Sequence, residues 1–201
     1  VSLDAASKIR ILRYLRRLQA RAPMPMLYVS HDLTEVLQLT HELILLEAGR
    51  VIRQGSYLEL TEHADVLRVV GEQHLSNVLR VQSQGIDARN GLMRLRLGAS
   101  SEAPILYGSP REEDEDPTRI AVRPEDIALS RQRLEGTSIR NQLRGRIERL
   151  TVHERRALVR VNIGISLLVR VSVQTVREMQ LEPGREVWCL IKAAAVRYLD
   201  S

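Results

Sequence analysis

Residues Ile165–Val173 read "ISLLVRVSV". Ile165, Leu167, Val169, Val171 and Val173 recur at every second position, which places them on one face of an extended chain. A helix would scatter the same residues around its axis. The stretch is predicted to be a strand, with Gly164 supplying the turn before it. Working outward, "NVLRVQSQGIDARNGLMRLRLG" (77–98) alternates in the same way, and "REVWCLIKAAAV" (185–196) sets Val187, Cys189 and Ile191 opposite Trp188, Leu190 and Lys192. "QTVREMQLEPG" (174–184) predicts a short helix ended by Pro183-Gly184. Many short strands at close spacing predict a mainly-β region of small OB-like barrels after about residue 76.

The first 75 residues are patterned differently. "DAASKIRILRYLRRLQARA" (4–22) spaces Ile9, Leu12, Leu15 and Leu18 as a helix face, with Asp4 as N-cap. "PMLYVS" (25–30) has the length of a buried strand, and "DLTEVLQL" returns to helical spacing. "ELILLEAGRVIRQG" (42–55) predicts a hairpin around "EAG", and "SYLELTEH" and "ADVLRVV" predict short helices. This is α/β patterning in too few residues for a complete nucleotide-binding domain.

Composition narrows the function. The chain has 201 residues, 44 % of them hydrophobic and 3 % aromatic with no Phe, so its cores rest on Leu, Val, Ile and Ala. No apolar run approaches the roughly 20 residues of a membrane helix. "VSLDAASK" lacks the basic and apolar regions of a signal peptide. The single Cys189 excludes an internal disulfide and fits a reducing compartment. The net charge of +5 lies wholly in residues 76–201, which carry 21 basic and 16 acidic side chains against 9 and 9 in residues 1–75. An anionic ligand suits that excess. The charges are interspersed, stacking aromatics are few and no helix-turn-helix pattern occurs, so nucleic acid is not an expected partner. "SPREEDEDPT" (109–118) reads as a solvated acidic loop.

Two stretches carry candidate chemistry. In "LYVSHD" (27–32), His31 follows an expected strand end, where open α/β sheets bind ligands. Consecutive Ser30, His31 and Asp32 cannot converge as a nucleophilic triad. In "EGTSIRNQLRG" (135–145), Ser138 and Arg140 are expected to point the same way at a strand start, with Asn141 adding donors. A tetrahedral oxyanion needs such fixed N–H and O–H donors beside positive charge. A capping Ser, a turn Asn and a surface Arg would give the same letters.

"SLDAASK", "MLYVSHDLTEVLQL" and "ILLEAGRVIRQGS" resemble, in order and spacing, the final part of an ABC transporter ATPase domain. The resemblance implies that Asp4 lies in the D-loop, which crosses to a partner subunit, and that His31 contacts the ATP γ-phosphate. No G-x-x-x-x-G-K-[ST] loop and no family signature loop are present, and Walker B acids would stand just before Asp4. The expectation is the C-terminal piece of a longer ATPase that alone neither binds ATP and Mg²⁺ tightly nor turns ATP over.

"TSIRNQLRGRIERL" (137–150) and "LEPGREVWCLIKAAAV" (181–196) are similar to the Mop, or molbindin-like, domain, which binds molybdate and tungstate. The similarity implies an oxyanion site of Ser138, Arg140, Asn141, Lys192 and Ala193, completed where subunits or repeats meet. "NIGIS" stands where the family usually has a double-Gly loop, and Ser172 and Thr175 are further hydroxyl candidates. "NVLRVQSQG" and "RIAVRPEDIALSRQ" resemble the preceding TOBE-like barrel of the same transporter class. The expected organisation is therefore an ABC ATPase portion (1–75), a first TOBE-like subdomain (76–134) and a Mop-like subdomain (135–201).

Together the resemblances imply an ATP-binding subunit of a molybdate importer, with a cytoplasmic oxyanion sensor. It would be peripheral on the inner face of the membrane, dimeric, and partnered by a membrane permease and indirectly by an extracytoplasmic molybdate-binding protein. A free-standing molybdate-storage protein and a sulfate or sugar importer subunit remain the alternatives.

Overall fold

The computed structural model describes the chain apart from residues 1–4, 23, 72–73, 99, 111–117, 154 and 200–201. Asp4 and the acids of the "EEDED" run therefore lie outside the described residues. The order begins with α1 (Ala5–Arg21), α2 (Leu33–Leu39), the hairpin β1 (Glu42–Glu47) and β2 (Arg50–Ser56), then α3 (Tyr57–Leu60) and α4 (Ala64–Val70). It continues with β3 (Asn77–Ile86), β4 (Met93–Leu97), β5 (Ile105–Gly108), β6 (Arg119–Val122), β7 (Ile127–Ser130), β8 (Asn141–His153), β9 (Arg156–Asn162) and β10 (Ser166–Ser172). The helix α5 (Val173–Met179), β11 (Glu186–Ile191) and β12 (Arg197–Tyr198) close it.

From β3 onward the protein is two curled, five-stranded antiparallel sheets of OB-like character. One runs β12-β6-β3-β4-β5 and the other β10-β9-β8-β11-β7. Each sheet takes its last edge strand from the other half of the chain: β7 pairs with β11, and β12 with β6. Sheet membership thus crosses the expected 134/135 boundary twice. One apolar core joins the sheets, with Leu95, Ile120, Val122, Val159, Val161, Val169, Val187 and Cys189 all buried. Each such side chain contributes roughly 1.5–3 kcal/mol on leaving water. Alternation holds in β11, where Val187, Cys189 and Ile191 face this core. In β10, Leu167, Leu168 and Val169 are all buried, because Leu168 faces a second core under the first segment.

That second core seats residues 33–75 on the sheets through Leu37, Tyr57, Leu67, Leu75, Val78, Ala121, Leu158 and Leu168. The buried Tyr57 hydroxyl accepts the Ser76 main-chain N–H at 3.1 Å. Glu62 pairs with Arg160 at 2.8 Å and with Arg149 at 3.2 Å. The helices start where local chemistry dictates: Ser56 and Glu59 form a capping box for α3. α5 stops earlier than Pro183-Gly184 predicts, because Gln180 adopts a left-handed φ of 50° and donates its N–H back to Arg177 O.

The strand expected at "PMLYVS" does not form. Residues 24–30 belong to no helix or strand, and Leu27 and Val29 are 84 % and 80 % exposed. Alternation and length describe a strand only when a neighbour satisfies its backbone and covers its side chains. The hairpin leaves Ile44, Leu46 and Val51 exposed as well. Exposed large apolar side chains favour association when they gather into patches. The 201-residue chain is therefore expected to sediment as concentration-dependent oligomers and to enhance a hydrophobic dye. Leu27→Ser with Ile44→Ser should reduce both signals; unchanged sedimentation would place the sticky surface elsewhere.

Candidate functional site

The first candidate stretch folds as a helix cap. Asp32 Oδ1 accepts the N–H of Thr34 at 2.9 Å and of Glu35 at 3.2 Å, which opens α2. Ser30 Oγ donates to Glu35 at 2.9 Å and accepts the Asp32 N–H. Glu35 also gathers Lys8 of α1 at 2.9 Å and the Tyr28 hydroxyl at 3.2 Å. His31 is left exposed at the top of this cap. No phosphate-cradling loop is present in the sequence, and no group of three or more His, Cys, Asp or Glu able to hold a metal occurs among the described residues.

Burial pushes the Glu35 carboxyl up, but its bonds to Lys8, Ser30 and Tyr28 outweigh burial and hold it below its ordinary 4.5. Its contribution to stability is thus complete above pH 4.5 and is lost as pH falls through the lowered folded value. Melting midpoints measured from pH 6 downward should show this loss, and Glu35→Gln should lack that step. A Glu35→Gln profile identical in shape to the parent would exclude the carboxylate as its source.

The second candidate stretch and "IKA" meet in space. β8 and β11 are antiparallel neighbours, and their last rung pairs Asn141 with Ile191. Arg140 and Lys192 are each the next residue beyond that rung, so the two motifs stand side by side at one end of the sheet. Ser138, Arg140 and Lys192 are exposed and Ala193 is half-buried. Ser138 and Arg140 precede the strand instead of lying in it. Their loop is fixed by Gln142, whose amide donates to Leu134 O at 2.9 Å and whose Oε1 accepts the Leu134 N–H at 2.8 Å. Ala193 opens a 3-10 turn, Ala193–Ala195, that carries Lys192 as its cap.

Asn141 differs from the expected outward-facing donor. It is 1 % exposed, and its side-chain N–H groups donate to Tyr107 O at 2.9 Å and Ile191 O at 3.0 Å. Its Oδ1 accepts the Tyr107 N–H at 2.6 Å. Ser172 and Thr175 are also engaged elsewhere: Ser172 caps α5, accepting the Thr175 N–H at 3.0 Å. Gln142 and the buried role of Asn141 escaped sequence reading, because a lone amide gives no sign of which way it faces.

The cations at this corner differ from the other arginines of the sheet. Arg144 is held by Glu186, Arg160 by Glu62 and Glu148, and Arg170 by Glu125. Among the described residues, Arg140 and Lys192 have no ion pair. Two adjacent, solvent-facing cations with a hydroxyl nearby can hold a small doubly charged oxyanion through charge-assisted bonds. Two small clefts lie elsewhere, beneath α3 and α4, one lined by Glu62, Arg149 and Arg160 and the other by Leu67, His153 and Arg170. Cys189 is buried in the sheet beside the corner, and burial pushes its thiol up to about 12, so it stays protonated and inert near neutral pH.

The TOBE domain family matches residues 137–198, which span β8 to β12. The "Molybdenum import ATP-binding protein ModC" of Methylococcus capsulatus is 35 % identical over 198 residues, covering 97 % of this chain and 54 % of that protein. The protein of the same name from Rhodopseudomonas palustris strain HaA2 is 33 % identical over 205 residues, covering 97 % and 52 %. The chain spans about half the length of these curated relatives. Among solved structures, the cytoplasmic molybdate-binding protein ModG with molybdate bound matches with a TM-score of 0.49 and 21 % identity, over 60 % of this chain and 92 % of that one. The chain is a homologue, along nearly its whole length, of the molybdenum-import ATP-binding proteins, and it carries a TOBE domain.

Proposed function

We propose that this chain serves in the ATP-binding subunit of a molybdate importer and that its second sheet is a cytoplasmic sensor for the imported oxyanion. The observation that carries the reading is the Asn141–Ile191 rung, which sets Arg140 beside Lys192, neither with an ion pair among the described residues. Molybdate and tungstate, both doubly charged tetrahedra of nearly one size, fit this donor set equally. Ser138 and Ala193 complete the near side of the pocket. The corner is open to solvent, so a second copy closing over it accounts for a homodimer.

In the same reading residues 1–75 belong to an ATPase domain, with His31 as the switch residue toward ATP and Asp4 in the D-loop. ATP and Mg²⁺ would be ligands of the full-length ATP-binding subunit. A membrane permease and an extracytoplasmic molybdate-binding protein complete the importer. Residues 76–134 and 135–201 are then two TOBE-like and Mop-like subdomains that exchange an edge strand. Bound oxyanion regulates transport only if it prefers one arrangement of the paired subunits over another.

Calorimetric titration with molybdate, tungstate and sulfate tests the proposal. Saturable binding of the first two, with sulfate weaker, is expected. Absence of molybdate binding at any protein concentration at which the dimer forms would refute it.

A further inference from the structure

The two five-stranded sheets have the same internal order. Reading β3, β4, β5, β6 against β8, β9, β10, β11, each set begins with a strand that pairs with the second and fourth members, and the third lies outside the second. Each fourth strand runs into a 3-10 turn, Pro124–Asp126 or Ala193–Ala195, and then into an edge strand of the opposite sheet. The residues capping the two turns are Arg123 and Lys192, with φ, ψ of −71°, 141° and −68°, 141°. The leading strands share Asn-x-Leu-Arg, as Asn77-Val78-Leu79-Arg80 and Asn141-Gln142-Leu143-Arg144.

The two asparagines make the same three bonds. Asn77 donates to Val122 O at 3.1 Å and Leu168 O at 2.9 Å and accepts the Leu168 N–H at 2.7 Å. Val122 is its rung partner in β6, as Ile191 is for Asn141 in β11. Leu168 lies in β10 and Tyr107 in β5, the third strands of the opposite repeats. Each carboxamide therefore ties the first and fourth strands of its own repeat to the third strand of the other. Asn77 does so at a corner that has His74 and Ser76 in place of Ser138 and Arg140, with Ser76 buried.

We infer that Asn141 is a positioning residue, which sets the spacing of Arg140 and Lys192 without itself touching the anion. The inference rests on reading that corner as the oxyanion site, and Asn77 is its built-in control. A group that makes identical bonds where Ser-x-Arg is missing owes those bonds to the fold. Both N–H groups of the Asn141 amide donate inward and its Oδ1 accepts an inward N–H, so neither donor is directed at an anion in solvent.

The test uses the 201-residue chain with sodium molybdate as probe. Side-chain amide resonances of Asn77 and Asn141 should both be protected from exchange without molybdate, and that of Asn141 should keep its partners when molybdate saturates. Asn77→Ala and Asn141→Ala should lower the melting midpoint by similar amounts, while only Asn141→Ala weakens molybdate binding, by roughly tenfold. A freely exchanging Asn141 amide, a change of its partners on adding molybdate, or equal loss of affinity in the two variants overturns the inference. If Asn141→Ala fails to fold, the resonances of the unmodified chain decide. If the parent binds no molybdate, the functional reading fails, and unequal protection or unequal midpoint losses would then also refute the equivalence of the two asparagines.

Discussion

Arg140→Ala and Lys192→Ala are each expected to weaken molybdate binding by roughly 10- to 100-fold, the loss of one hydrogen bond to a charged group. Neither should move the melting midpoint appreciably. Both side chains are exposed and hold no ion pair among the described residues, so the folded state loses little when they are cut back. Arg140→Lys should recover only part of the affinity, because an ammonium cannot present two parallel N–H groups to two oxyanion oxygens. Affinity should also fall with added salt, since the corner is open to screening. Calorimetry on the three variants, with circular dichroism as the fold control, reads all of this. Parent-like affinity in both alanine variants would move the site away from this corner.

The second large effect concerns stability. Gly145→Val is expected to lower the melting midpoint by on the order of 10 °C, or to prevent folding. β8 pairs with β11 through Gly145 and Val187, while on its other side the next residues, Arg146 and Ile147, pair with Asn162 and Val161 of β9. A Cβ at 145 would stand 2.7 Å from the Asn162 main-chain oxygen, 2.7 Å from Ile163 Cγ2 and 2.7 Å from Val161 Cγ1. The side chains can shift a little, but the carbonyl is fixed in the sheet. Gly136 is the useful contrast: nothing lies within 4 Å and only its φ of +63° opposes a side chain. Gly136→Ala should cost only about 1 kcal/mol. Thermal melts of the two variants decide, and equal losses would mean that the crowding at 145 relaxes.

The β region was legible because its strands are short and mostly alternate, so β3, β4, β10 and β11 could be read from period two alone. Their assembly was not. Nothing in "IALS" or "RY" says that these residues leave their own half and pair with the other, because a four- or two-residue edge carries too little pattern. "PMLYVS" misled for the opposite reason: its pattern is strong, but a strand needs a neighbour, and none is described beside it. At the site, the residue types were legible and their roles less so. Arg140 and Lys192 both lie next beyond the Asn141–Ile191 rung, whereas the Asn141 side chain faces inward. The inward bonds reach Tyr107, 34 residues away, and no local rule links those positions.

The exchange of β7 and β12 also bears on the order in which the protein can mature during synthesis. A chain made from its N-terminus presents β3 to β6 early, but the strand that finishes their sheet is Arg197–Tyr198. The Asn77 carboxamide likewise waits for Leu168, 91 residues downstream. The first barrel therefore leaves the ribosome with an open edge and an unanswered amide. It closes only once Arg197–Tyr198 has emerged, so the completion of the first sheet waits for strands of the second.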